Sequence, residues 1–301
     1  MAKLTPFGVA LRKLRIEREL RLLDLAEKLG KSTAMVSAIE TGRKSIPDGF
    51  VAELVRVLSL TPADYKELRT AIDRTQKVVN VEHLAPDNRE VVAAFARNPG
   101  ELPSDLLEQI RKLVLKSSDD ETPFKRKRRG ILVSPLSRAK IEAFAANVRS
   151  SFGCSDISWF PIVEVIEFWL GTLVPDFVFE VWGREAMRGG EGGEGRVVPS
   201  YRTLILREDV YEKACKKDGR ARFTAAHELA HFLMHHEIVF ARTSSDRDPI
   251  YCDAEWQADT FAGHLMIPRH LCAGCASPEE VSALFGTSVQ AATVMISRYA
   301  S

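Results

Sequence analysis

Arg222-Phe223-Thr224-Ala225-Ala226-His227-Glu228-Leu229-Ala230-His231-Phe232-Leu233-Met234-His235-His236 is the stretch that decides how the C-terminal half of the chain folds. It has a helix-like composition and contains His-Glu-x-x-His. Positions four apart stack on one face of a helix, so His227 and His231 can hold one metal ion while Glu228 reaches the water beside it. The chemistry indicated is metal-assisted peptide hydrolysis, with Glu228 as the general base.

Two histidines leave a zinc ion one protein ligand short. The spacing His-x-x-Gly-x-x-His does not supply it, because Met234 stands where Gly is needed and Glu237 where the third His is needed. Glu255-Trp256-Gln257-Ala258-Asp259 does better. On a helix, Glu255 can reach the metal, and Asp259, one turn on, can accept a hydrogen bond from the far ring nitrogen of a ligand histidine. His235 and His236 fit helix-end or supporting roles. His264, nine positions after Glu255, falls on the opposite side of that helix and is not expected to be a ligand. Tyr201, Tyr251, His235 and His236 are candidates for stabilising a transition-state oxyanion, and no spacing selects among them.

Length and composition frame this site. The chain has 301 residues, 45% of them hydrophobic, and a net charge of +1, which describes a globular protein of about two domains. The most apolar region, Phe160 to Trp182, is broken by Glu164, Glu167, Pro175 and Asp176, so it reads as core and not as a membrane span. No signal-like N-terminus is present, and a cytosolic location is expected. Cys154, Cys215, Cys252, Cys272 and Cys275 are odd in number and scattered, which suits reduced thiols. Cys272-x-x-Cys275 lacks the second pair of a structural zinc site and reads as structural or incidental. Cys252, three residues before Glu255, is a thiol that could occupy an open zinc position.

From Phe7 to about Leu60 the apolar residues follow a helical period broken by short turns. Val9, Leu11, Leu14 and Ile16 mark one helix. Leu22, Leu25, Ala26 and Leu29 mark a second, ending at Gly30. Ser32 or Thr33 caps a third, with Met35, Val36 and Ile39 inward and Gly42 as its stop. Two short helices joined by a tight turn are a helix-turn-helix, whose second helix enters the major groove. Residues 1–60 carry a net +4, so the charge of the chain is concentrated here. A further helix from Pro62 to about Arg74 completes five.

Helical patterns near Asn88 to Arg97 and Ser104 to Lys116 suggest an extension that dimerises the reader. Ser117 to Pro123, acidic and polar, then runs into Lys125-Arg126-Lys127-Arg128-Arg129-Gly130, which reads as an exposed linker. Beyond it, Ile141 to Phe152 and Phe160 to Leu170 read as helices, and Phe177 to Trp182 as a strand. The Gly-rich run Gly189 to Gly195 reads as a mobile loop. Arg202 to Arg207 reads as a strand whose edge could take a substrate segment. The expected fold is mainly α with a small β-sheet: an all-α helix-turn-helix domain (1–75), a helical extension (76–116), a linker (117–130) and an α+β zincin-like metallopeptidase domain (131–301).

Two resemblances add to this reading. Residues 11 to 60 resemble the phage-repressor-like helix-turn-helix family, through Leu25-Ala26-x-x-Leu29-Gly30 and Val36-Ser37-x-Ile39-Glu40-x-Gly42-Arg43. That resemblance implies that Thr33, Ala34 and Ser37 face base edges while Lys31, Arg43 and Lys44 meet phosphates. Residues about 136 to 300 resemble the ImmA/IrrE-type zinc metallopeptidases. The resemblance lies in Arg222-Phe223-Thr224-x-Ala226-His227-Glu228-Leu229-Ala230-His231 and in Glu255-x-x-Ala258-Asp259-x-Phe261-Ala262-x-x-Leu265-Met266-x-Pro268. It implies a Zn2+ cofactor on His227, His231 and Glu255, Glu228 as the base, and a repressor-like helix-turn-helix protein as the substrate cleaved after stress. The expected protein is thus a regulator with double-stranded operator DNA as one partner. A repressor, or its own chain, is the other, with single-stranded DNA as a candidate activating signal and a homodimer as a candidate assembly. The rival expectation is a non-enzymatic transcription factor whose zincin-like domain senses a ligand or metal.

Overall fold

The computed structural model describes residues 4–47, 49–75, 132–188, 194–198, 202–235, 249–272 and 274–300. The extension and the linker, with the basic block and the glycines at 189–193, lie outside the described residues. The described residues up to 75 and from 132 onward belong to one compact unit, so the N-terminal helices and the C-terminal half pack together.

Five helices open the chain: α1 (Pro6–Glu17), α2 (Leu22–Leu29), α3 (Thr33–Glu40), α4 (Phe50–Leu58) and α5 (Pro62–Thr75). Thr5 caps α1 by accepting from the Gly8 amide, and Ser32, not Thr33, caps α3 by accepting from the Met35 amide. Gly30 ends α2 in the left-handed region at φ 62°, where glycine carries no Cβ penalty. Phe7, Leu11, Leu14, Leu25, Val36 and Ile39 form the core of this part, whereas Val9 and Ile16, two of the residues that mark α1 in the sequence, lie at its surface. The period of α1 is met instead by Phe7 and Ala10.

The C-terminal half begins with α6 (Arg138–Ser151). A second helical run, α7, follows as Ile162–Glu164, a π-helical Val165–Trp169 and Leu170–Leu173. The remaining elements are β1 (Val178–Trp182), α8 (Arg184–Arg188), β2 (Gly195–Val198), β3 (Thr203–Arg207), α9 (Glu208–Cys215), α10 (Gly219–Met234), α11 (Ala254–Met266), α12 (Pro278–Phe285) and α13 (Val289–Ala300). The sheet order is β1-β3-β2, with β1 parallel and β2 antiparallel to β3. This corrects two expectations. The strand at 203–207 is central and has no free edge. Gly195, assigned to a loop, starts a strand that its glycine-rich context concealed. The segment from Phe160 to Trp182, expected to be core, is so in part: Phe160, Ile166, Leu170 and Val181 are buried, while Trp169 and Leu173 lie at the surface.

The N-terminal helices meet the C-terminal half through a buried charge cluster. Arg15 lies between Glu40, at 3.2 Å, and Glu167 of the π-helical turn, at 3.6 Å, and all three are buried. Glu167 also accepts from the Leu22 amide at 3.1 Å. Burial pushes the Glu167 carboxyl up to about 7, with Arg15 opposing. A carboxyl raised by folding contributes stability fully below its ordinary range, and that contribution is lost as pH rises through about 7.

Candidate metal centre

The metal-ligand candidates come from two antiparallel-packed helices whose contact faces are lined by small residues. Ala226 and Ala230 on α10 and Ala258 and Ala262 on α11 are fully buried, which lets the backbones approach. Asp218 caps α10 and Asp253 caps α11. The segment at 132–136 runs beside 251–253, with the Val133 amide donating to Cys252 O and the Leu136 amide to Tyr251 O, and this fixes where α11 starts. Glu255 is therefore held in the first turn of its helix, facing the histidines.

His227, His231 and Glu255 converge as the spacing predicts. The two Nε2 atoms are 3.0 Å apart, and the Glu255 oxygens lie 3.3 Å from each of them. Donor atoms in a tetrahedral zinc shell of about 2.0–2.1 Å radius sit roughly 3.3 Å apart, so the spacing and the donor set suit such an ion. Among the described residues this is the cluster with metal-ligand character. Burial opposes a proton on His227, but hydrogen bonding with Asp259 and Glu255 outweighs it and carries the imidazole up to about 10. Hydrogen bonds from His227 and His231 hold the Glu255 carboxyl well below the usual carboxylate range. The environment favours positive charge at this point, which a divalent cation would satisfy.

Both imidazoles are oriented from behind. His227 donates from Nδ1 to Asp259 Oδ1 at 2.8 Å, which leaves Nε2 for the metal, as expected from the sequence. For His231 the support is a longer chain. Gln257 donates from Nε2 to the carbonyls of Ser134 and Tyr251, both at 2.8 Å, so its Oε1 must be the acceptor for His235 Nε2 at 3.0 Å. Burial pulls His235 down to about 4, so its ring is neutral and its Nδ1 accepts from His231 Nδ1 at 3.0 Å. The amide orientation of Gln257 thereby sets the tautomer of His231. His235 is legible in the sequence as a supporting residue, whereas nothing in the sequence marks Gln257. Gln257→Leu is expected to weaken zinc binding about 10–100-fold, measured by competition with a chelating dye.

Glu228 sits under β2. A Cβ added to Gly195 would lie 2.3 Å from Glu228 Cγ, so only glycine allows the strand to pass this close. Burial pushes the Glu228 carboxyl up, against the nearby His227 and His231. Gly195→Ala must displace Glu228 while leaving the ligand atoms in place. It is expected to lower turnover about 100-fold with little change in zinc content.

The other candidates are placed as follows. His264 is buried, 3.2 Å from the Tyr299 hydroxyl, and is not a ligand. Both nitrogens of His235 are engaged in the chain above, and the exposed Tyr251 contributes its carbonyl to that chain. Tyr201 and His236 lie outside the described residues. The described cysteines are free thiols, and burial pushes Cys272 up to about 11. Of the residues expected at DNA, Lys31 pairs with Glu53 at 2.8 Å and Lys44 is exposed. Thr33, Ala34, Ser37 and Arg43 all contact the C-terminal half.

Comparison with known families agrees with this layout. Residues 190–297 match the IrrE N-terminal-like domain, a peptidase family, and residues 6–68 match a helix-turn-helix domain. No curated protein and no solved structure gave a match. The metal helix, its capping strand and the Glu255 helix fall inside the first match, and all of α1 to α4 inside the second, so the chain joins an N-terminal helix-turn-helix domain to a C-terminal IrrE N-terminal-like domain.

Proposed function

We propose that this protein is a cytoplasmic, stress-responsive transcriptional regulator whose C-terminal half is a zinc endopeptidase. Its substrate is a helix-turn-helix repressor, with the chain itself among the candidates, and cleavage relieves repression. The observation that carries the reading is the convergence of His227, His231 and Glu255 beside a half-buried Glu228, on a chain that also holds a helix-turn-helix domain.

Zinc bound by these three residues would supply Lewis acidity, polarising a peptide carbonyl and acidifying a water. Glu228 takes the proton of the attacking water and passes it to the departing amide nitrogen, a role that its raised carboxyl suits. Asp259, and Gln257 through His235, hold the two imidazoles in the tautomers that leave Nε2 available. The outer edge of β2 is the strand edge next to Glu228, and an extended peptide added there would run past the base. A cavity of about 500 Å³ lined by Glu194, Phe223, Thr224, Asp259 and Arg298 gives room for its side chains.

A reporter fused to a promoter that the protein occupies tests this reading in cells. Under stress the wild type is expected to release the reporter, and Glu228→Gln to keep it repressed. Equal induction by both would favour the non-enzymatic sensor instead.

A further inference from the structure

The recognition helix α3 is held by the groups through which a helix-turn-helix grips DNA. The Ala34 amide, in the first turn of the helix, donates to Glu208 Oε1 at 2.7 Å. Thr33 Oγ1 donates to Glu212 Oε1 at 3.0 Å. Arg43 Nε lies 2.6 Å from Glu180 Oε2, and its guanidinium stacks over the Trp182 ring at 4.8 Å. Ser37 accepts from the Val181 amide at 2.8 Å, and Arg43 donates to the Val181 carbonyl. Thr33 and Ser37 are each 1% exposed, so neither can reach a base edge in this arrangement.

The partners are chemically those of a phosphate backbone. First-turn amides of a helix and an arginine fork are anion sites, and on DNA they take phosphate oxygens. Here they take carboxylates. Glu208 and Glu212 lie one turn apart on α9 and share a face, and Glu180 comes from β1. Arg43 closes on a Glu180 that is itself buried and also accepts from Trp182 Nε1.

We infer that Glu180, Glu208 and Glu212 form a seat that imitates DNA, so that the catalytic half and duplex DNA compete for the same face of α3. The docked chain cannot read an operator, and DNA binding requires α3 to leave the seat. The competitor is double-stranded DNA, and the inference rests on the DNA-reading role given to the helix-turn-helix domain above.

A disulfide lock tests it in the full chain. A Cβ at Gly183 would lie 3.9 Å from the Ala34 Cβ, inside the disulfide range of about 3.5–4.5 Å. The double variant Ala34→Cys, Gly183→Cys is oxidised, checked by intact mass, and titrated with fluorescein-labelled duplex DNA of mixed sequence before and after reduction. The oxidised form is expected to bind at least about tenfold more weakly than the reduced form. The triple variant Glu180→Gln, Glu208→Gln, Glu212→Gln is expected to bind more tightly than a charge-matched control, Glu142→Gln, Asp156→Asn, Glu279→Gln. Equal binding by oxidised and reduced forms would overturn the seat alone, as would a triple variant no tighter than its control or a cysteine pair that does not oxidise. No binding by either the reduced form or the triple variant would overturn the DNA-reading role, and the seat with it.

Discussion

Purified Glu228→Gln is expected to keep one zinc ion per chain and to lose at least about 100-fold in peptide hydrolysis, the range of general acid–base catalysis. His227→Ala should lose both. The contrast follows from the division of labour at the site. His227, His231 and Glu255 converge on a common point, while Glu228 points under Gly195 and holds no ligand position. Metal content by elemental analysis, measured beside the cleavage rate, separates the two. Loss of zinc in Glu228→Gln would show that the carboxylate is a ligand and that the base lies elsewhere.

Arg222→Met is expected to lower folding stability by about 3 kcal/mol or more, read as a fall in the denaturant midpoint. The Arg222 guanidinium is buried and donates to the carbonyls of Phe160, Phe285 and Gly286, at 2.6, 3.1 and 2.5 Å. It also stacks over the Trp159 ring at 3.6 Å. Burial pulls it down to about 10, still protonated at neutral pH. It ties the start of the metal helix to α7 and to the turn after α12. Methionine fills the volume but removes this donor from the Phe285 and Gly286 carbonyls and leaves the Phe160 carbonyl with the Ile162 amide alone. At Gly286, in the left-handed region at φ 60°, a Cβ would strike both Arg222 and Trp159, so this turn is shaped around the same side chain. A midpoint unchanged by the substitution would mean that water replaces the guanidinium at little cost.

The parts of this protein legible in its sequence are those set by local periodicity. His227 and His231 are four apart on one helix, Glu255 and Asp259 four apart on another, and the structure brings both pairs together. The turn residues Gly30 and Ser32 mark the helix-turn-helix for the same reason. What stayed hidden depends on partners distant in sequence. Gln257 owes its role to the Ser134 carbonyl, 123 positions away, and no spacing within 255–259 marks it. Gly195 is one of several glycines in a run, and only the approach of β2 to Glu228 distinguishes it. Thr33, Ala34 and Ser37 have the small polar character of a groove-facing helix, and nothing nearby shows that Glu208, Glu212 and Val181 meet them. A charge reading of 1–60 finds the basic face but not the carboxylates set against it.

The proposed function joins DNA reading and the cutting of a helix-turn-helix protein on one chain. The most direct measurement is mass spectrometry of new termini after zinc-loaded wild type or Glu228→Gln is incubated, with and without single-stranded DNA, with a tagged Glu228→Gln copy of the chain and with helix-turn-helix proteins encoded beside it. Discrete new termini are expected in at least one of these proteins with the wild type and none with Glu228→Gln. The absence of any cut by zinc-loaded wild type, or the same cuts with both, would contradict the proposed function.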